Sequence, residues 1–316
     1  MTPLRQRMLD AMQLRGFSPR TCEAYVGAVA ALARYWHQDP AALGTPQIDQ
    51  YLLHLVRERK RSFSTVNQAA SALKFLYQTV LDRPEMAARV PMARMPQRLP
   101  EVLSREELAR LFAAVRQPRA AVFLKTAYAS GLRLNELCHL RVADIDAAAD
   151  RMCIRVVQGK GAKDRYVPLS PELLQLLRQW WRTLPPARRQ PAADGGAAWL
   201  FASSRDSALP LFDQTAQRWY VAAARAAGIT KCGGVHTLRH CWATHMLESG
   251  VDLYTLQQWM GHREIGTTTR YLRLVRPGAT VGGHTPLSLL GALPAAPPVP
   301  SRRTAPEIAA TASSRP

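Results

Sequence analysis

The run VHTLRHCWATHMLESG, residues 235–250, reads as a helix that opens at His236 and continues to Glu248. His236 and Arg239 stand three residues apart and so share one face of that helix. Two cationic side chains on one face can grip a single phosphate. Cys232, His236, His240 and Cys241 also make a C-x3-H-x3-H-C pattern here, but the second ligand pair usual in zinc sites is missing and no metal is expected.

Outward from this helix the chain reads as a mixed domain. Upstream come helices around Ser104 to Val115, with Ser104 and Glu107 as a capping box, and Ala120 to Ser130, then Arg133 on the next helix. Two strand-like runs rich in β-branched residues follow, Met152 to Val157 and Arg165 to Leu169, joined by a hairpin-like turn that carries Lys160. That turn, Gly159-Lys160-Gly161, is not a nucleotide-binding P-loop: position 154 is Ile where Gly is needed, and Gly161 stands where Ser or Thr is needed. Ser170-Pro171 starts another amphipathic helix, Pro185 to Ala197 reads as a surface loop, and helices resume at Gln214 to Ala227.

The first 84 residues read as a small all-helical module. A short helix covers Leu4 to Leu14. Ser18-Pro19 caps a second with Tyr25, Ala28, Val29, Leu32, Tyr35 and Trp36 on one stripe, Thr45-Pro46 opens a third, and Ser64 or Thr65 begins a fourth through Val66, Ala69, Leu73, Leu76, Tyr77 and Val80. Arg57 to Arg61 form a basic run between helices, suited to contact with a phosphate backbone. Pro84, Pro91, Pro96 and Pro100 then punctuate a segment without helical or strand periodicity, which reads as a semi-extended linker able to let two domains straddle a duplex.

Charge names the class of partner. Lys and Arg number 42 against 23 Asp and Glu, a net charge of +19 in 316 residues. Such an excess attracts polyanions and makes binding salt-dependent through counterion release. With 47% hydrophobic residues the chain can bury a core in each of two domains. There is no uncharged apolar stretch of about 18 residues and no signal-peptide core, so a soluble, cytoplasmic protein without a membrane partner is expected. Five cysteines without paired C-x-x-C spacing make a disulfide framework unexpected.

Four segments in order, ASGLRLNELCHL (129–140), QGKGAKDRYVPL (158–169), VHTLRHCWATHMLESG (235–250) and LQQWMGHREIGTTTRYLRL (256–274), resemble the signature segments of tyrosine recombinases, Xer-like or transposon-borne. The separations also fit that family: 3 from His236 to Arg239, 23 from Arg239 to His262, and 9 from His262 to Tyr271. The resemblance covers residues 1 to about 275. It implies a mainly α fold with a small β-sheet, with a helical, SAM-like core-binding domain at 1–84, a linker at 85–103, a mixed α+β catalytic domain at 104–276 and a largely disordered tail at 277–316.

The resemblance further implies six catalytic residues: Arg133, Lys160, His236, Arg239, His262 and Tyr271. Arg133 and Arg239 would bind the non-bridging phosphate oxygens and His236 and His262 would add hydrogen bonds. Tyr271 would attack, leaving a 3′-phosphotyrosine bond and a free 5′-hydroxyl, with Lys160 protonating the leaving oxygen and His236 helping to take the tyrosine proton. No cofactor is implied. Implied partners are double-stranded DNA with inverted half-sites, a homotetramer acting through a Holliday junction, and accessory recombinase or DNA-bending proteins, in a nucleoid-associated setting. His240 is expected to be a structural hydrogen-bonder, and Lys163 and Arg165 to touch the DNA backbone near the hairpin.

Two departures stand out. Met260 replaces the leucine more usual before Gly-His, and Pro277-Gly278 follow the tyrosine almost at once, where many relatives place a helix that docks on a neighbouring protomer. The apolar patch Thr285 to Leu290 is the expected substitute. The chain has no room for an arm-binding domain before residue 18, and the 76-residue interval from Lys160 to His236 has no integron-type insertion. Those two points leave an Xer-like recombinase or a transposon-borne integrase, and the shortened post-tyrosine helix and long tail favour a mobile-element integrase over an Xer-like chromosome or plasmid dimer resolvase; a type IB topoisomerase-like enzyme and a non-catalytic DNA-binding protein are the rivals from other classes.

Overall fold

The computed structural model describes residues 2–94, 99–157 and 164–275. The turn that carries Lys160 lies outside the described residues, as does the tail with its 285–290 patch. The chain divides into two compact units, Met1–Arg98 and Leu99–Pro316.

In the first unit the helices are α1 (Pro3–Gln13), α2 (Pro19–Trp36), α3 (Thr45–Arg57) and α4 (Phe63–Phe75). Capping fixes where they start. Ser18 Oγ accepts from Thr21 N at 3.2 Å with Pro19 in the first turn of α2, and Gly44 N donates to Gln47 Oε1 at 3.1 Å ahead of α3. The fourth helix begins earlier than Ser64, because Ser62 Oγ accepts from Thr65 N and takes the capping role itself. Met8, Met12, Leu32, Ile48, Leu73, Leu76 and Tyr77 are fully buried between these helices, and the Tyr77 hydroxyl donates to Pro40 O at 2.8 Å. The basic run from Arg57 to Arg61 is exposed at the end of α3.

The segment after Val80 is not wholly irregular. Pro84–Arg89 forms a short helix, α5, with Pro84 supplying a preset φ and Glu85 facing the positive end of the helix dipole. Six residues are too few for a periodicity to show in sequence. Ala87 and Val90 bury, and the Asn67 amide of α4 clasps the Ala93 peptide from both sides, donating to Ala93 O and accepting from Ala93 N, each at 2.8 Å.

The second unit runs α6 (Arg105–Ala113), α7 (Pro118–Ser130), α8 (Leu134–Cys138), three strands, then α9 (Pro171–Thr183), α10 (Asp213–Ala226), α11 (Val235–Glu248), α12 (Leu253–Met260) and α13 (Ile265–Thr269). The expected capping box is formed, Glu107 N donating to Ser104 Oγ and Ser104 N to Glu107 Oε2. Arg133 stands one residue ahead of α8, as its N-cap, rather than inside the helix. The sheet is antiparallel, β1 (Ile145–Asp146) on β2 (Cys153–Val156) on β3 (Arg165–Pro168), with Cys153 opposite Pro168 and Val156 opposite Arg165. Two residues of β1 are too few to have been legible as a strand. Among the described residues no helix is long and apolar enough to cross a membrane.

One close approach sets the geometry that matters below. Helix α7 ends at Gly131 in the left-handed region (φ +59°), where a Cβ would lie 2.2 Å from the Trp242 ring of α11. Glycine therefore lets α7 and α11 meet and turns the chain towards Arg133.

Candidate active site

Helix α12 ends in a left-handed Gly261 (φ 59°, ψ 46°), which leaves its last carbonyls pointing off the helix end. Each of three is taken by a different arginine. Trp259 O accepts from Arg165 Nε at 2.8 Å, Met260 O from Arg239 Nη2 at 2.6 Å, and Gly261 O from Arg133 Nη2 at 2.7 Å. The negative pole of one short helix thus gathers guanidiniums from β3, α11 and the start of α8. Arg239, 4% exposed, also donates to Gly131 O at the end of α7.

Three positive charges so close need a counter-ion, and Glu136 supplies it. Its carboxylate accepts both Nη groups of Arg165 at 2.8 and 2.6 Å, Arg133 Nη1 at 2.8 Å, and the Arg133 backbone N at 2.8 Å. Burial alone would raise the Glu136 carboxyl, but the hydrogen bonds and charge of Arg165, then those of Arg133, pull it down to about 2. Arg165 is therefore not the DNA-backbone contact expected from sequence: its side chain is 9% exposed and both faces of its fork are occupied within the protein. The Glu136 signal was available, since it lies three residues after Arg133 and fits the N3 position of a capping box.

The aromatic half of the site lies against Arg239. His262 Nε2 is 3.4 Å from Arg239 Nη2, and its Nδ1 is 2.8 Å from Thr268 Oγ1, a fully buried hydroxyl. Tyr271 is 2% exposed and stacks on His262, ring centroids 6.2 Å apart and planes 12° from parallel. Its hydroxyl lies 2.9 Å from His240 Nδ1. His236 is exposed one turn before His240, with ring centroids 6.5 Å apart.

Of the six residues expected from sequence, Arg133, Arg239, His262 and Tyr271 are joined by direct contacts or by the end of α12, His236 sits beside them on α11, and Lys160 lies outside the described residues. The electrostatics follow from burial among cations. Burial, then the charge of Arg133, lowers Arg239 to about 9, so it stays cationic at neutral pH. Burial, then Arg239 and Arg133, pushes His262 down to about 3, while at the more open His236 partial desolvation and the same two arginines lower the imidazole in the same direction. Burial raises the Tyr271 phenol, against the opposing charges of Arg239, Arg270 and Arg133.

Among the described residues no group of three or more His, Cys, Asp or Glu is placed to hold a metal ion. Cys232 is exposed, and Cys241 is buried with its Sγ accepting from Leu103 N. What the arrangement can do is bind a phosphodiester with fixed guanidiniums and neutral imidazoles, and set a phenol beside it as nucleophile.

Comparison with known proteins agrees. The phage integrase family matches residues 101–276, and the phage integrase N-terminal SAM-like domain matches residues 4–85. The chain is 38% identical over 275 residues to the putative integrase/recombinase y4qK of Sinorhizobium fredii, covering 87% of this chain and 85% of that protein. It is 28% identical to the tyrosine recombinase XerC of Lactobacillus delbrueckii subsp. bulgaricus, covering 84% and 92%. In fold it is similar to a lambda integrase fragment in a dimer bound to a core site, with a TM-score of 0.67 at 20% identity over 85% of this chain and 93% of that one.

Proposed function

The chain belongs to the phage integrase family of tyrosine recombinases, and we propose that it cuts and rejoins DNA at specific sites with Tyr271 as nucleophile. The observation that carries this reading is the Arg133–Arg239–His262 cluster held beside the Tyr271 phenol.

Arg133 and Arg239 take the non-bridging oxygens of the scissile phosphate. Both are fixed in advance by main-chain carbonyls and keep further N–H groups for the ligand. The arriving negative charge raises the pKa of His236 and His262 and makes them donors to the same oxygens. Tyr271 attacks phosphorus and forms a 3′-phosphotyrosine bond, and the 5′-oxygen leaves with a proton from Lys160. Loss of one such preorganised donor typically costs about 3 kcal/mol of transition-state stabilisation. Because the phosphotyrosine keeps the energy of the diester, a second 5′-hydroxyl reverses the step and exchanges strands. No high-energy cofactor is needed for that exchange.

The partner is a duplex with inverted half-sites, contacted by the helical domain at 1–84 and by the catalytic domain at 104–276, with four protomers acting on two duplexes. The biological setting we favour is a mobile element, because Pro277-Gly278 follow the tyrosine almost at once where chromosome-dimer resolvases continue with a docking helix. The test is incubation of wild type and Tyr271→Phe with suicide DNA carrying the flanks of the protein's own gene, without divalent cation. A covalent adduct with wild type alone is expected. An adduct that survives Tyr271→Phe refutes the assignment of the nucleophile, and relaxation of supercoils without joint products would favour a topoisomerase.

A further inference from the structure

We infer that Thr268 is a positioning residue for strand cleavage: its hydroxyl holds His262 Nδ1 so that Nε2 is the nitrogen offered to the scissile phosphate, and its carbonyl holds the Tyr271 amide in register with that imidazole. The proposal rests on the reading of Tyr271 as nucleophile and His262 as phosphate ligand. It deepens that reading by naming the group that sets the two side by side.

Three contacts converge on Thr268. The residue is fully buried in α13, and its Oγ1 lies 2.8 Å from His262 Nδ1. Its main-chain O accepts from Tyr271 N at 3.0 Å. The two rings it holds in this way stack 12° from parallel. The main chain of His262 is fixed separately by α12, His262 N donating to Gln257 O and Gln257 Nε2 to His262 O, each at 3.2 Å. Rotation of the ring is the freedom that remains, and the Nδ1 contact removes it. A β-branched side chain in a helix has few χ1 states, so α13 rather than the imidazole decides where the hydroxyl points.

The same contacts decide which ring nitrogen carries the proton. Burial, Arg239 and Arg133 hold this imidazole at about 3, so at neutral pH it has one proton. Arg239 Nη2 directs an N–H at His262 Nε2 over 3.4 Å, and a guanidinium has no acceptor to offer in return. Nε2 therefore presents its lone pair, and the proton sits on Nδ1 and is donated to the Thr268 hydroxyl. When the scissile phosphate binds beside Arg239, the second proton that its charge draws from solvent has one place to go, which is Nε2. The imidazolium then donates through Nε2 to a non-bridging oxygen and through Nδ1 to Thr268. A charge-assisted bond of that kind is about twice as strong as a neutral one. Without the hydroxyl, the Nδ1–H would be buried with no acceptor, and the ring would escape by moving its single proton to Nε2 and staying neutral on the DNA.

Thr268→Val keeps the shape of the side chain and loses the hydroxyl, whereas Thr268→Ser keeps the hydroxyl. The first readout is the nitrogen NMR spectrum of the histidine rings in full-length protein at neutral pH without DNA, with His262 identified by its loss in His262→Asn. We expect the proton on Nδ1 in wild type and Thr268→Ser, and on Nε2 in Thr268→Val. The second readout is single-turnover cleavage of suicide DNA at saturating protein. Thr268→Val should be about tenfold slower with a Kd for DNA within about twofold of wild type, and Thr268→Ser should cleave within about threefold of wild type. A wild-type His262 with its proton on Nε2 overturns the proposal, as does a Thr268→Val protein that cleaves within about threefold of wild type. Equal slowing by serine and valine, with the Nδ1 tautomer kept in both, reduces Thr268 to a packing residue and also overturns it. If Thr268→Val does not fold, the wild-type tautomer and the Thr268→Ser rate decide. Wild type that forms no adduct on DNA it binds overturns the recombinase reading and this proposal together. An adduct from a wild type whose His262 is protonated on Nε2 overturns this proposal alone.

Discussion

Replacing Glu136 by glutamine keeps the shape of the side chain and removes the charge that holds Arg133 and Arg165. Two independent routes give the size of the effect. The carboxyl lies at about 2 in the folded protein against an ordinary 4.5, and at about 1.4 kcal/mol per unit that difference corresponds to about 3 kcal/mol. Breaking a buried ion pair by removing one partner costs about 3–5 kcal/mol, and the Arg165 and Glu136 side chains are each only 9% exposed. For a domain of this size, about 3 kcal/mol lowers the melting temperature by about 6–12 °C. The effect carries a pH signature. Because the folded pKa is depressed, the stabilisation is complete above the unfolded value of 4.5 and is lost as pH falls towards 2. Wild type and Glu136→Gln should therefore differ fully at pH 6 and converge below about pH 4.5. Urea unfolding at a series of pH values reads this directly. A melting-temperature change under about 2 °C, or a gap that stays constant down to pH 3, would refute the account of Glu136 as the counter-ion of the site.

Gly131→Ala should destabilise the second unit by about 2 kcal/mol or more, since the new Cβ would sit 2.2 Å from Trp242 at a positive φ; an unchanged urea midpoint would show that α7 and α11 can separate at no cost. His262, lowered to about 3, is neutral when folded, whereas the unfolded imidazole takes a proton below its ordinary 6.5, so stability should fall as pH drops from about 6.5 towards 3. His262→Asn should flatten that part of the stability profile, and an identical slope in wild type and variant would count against a buried, neutral His262.

The helices were legible where a cap and a stripe coincide, as at Ser18-Pro19 and Ser170-Pro171. Elements shorter than one period were not. Neither the two-residue β1 nor the six-residue α5 repeats a pattern often enough to be seen. In the site, the residues expected to meet the phosphate could be read from their spacing. Their supports could not, because these are either main-chain carbonyls, which carry no residue identity, or charges whose role depends on burial. Arg165 shows this most clearly: a basic residue beside a hairpin turn suggests a surface contact, and only the packing of β3 against α12 turns it inward onto Glu136 and Trp259 O. His240 reads from sequence as a structural hydrogen-bonder, but its partner, the Tyr271 hydroxyl 31 residues on, appears only once the chain after α13 returns to α11.

The carbonyl end of α12 makes the site a joint with one pin. Arg133, Arg165 and Arg239 come from three separate parts of the chain, and each is registered against the same turn of backbone rather than against one another's side chains. A shift of that turn would carry off all three together, so loss of alignment should be all-or-none, and substitutions at two of the arginines should combine less than additively. The pin is also indifferent to side-chain identity. At position 260 Arg239 reads a peptide oxygen whose place is set by where the helix stops, while the methionine side chain packs separately into the core.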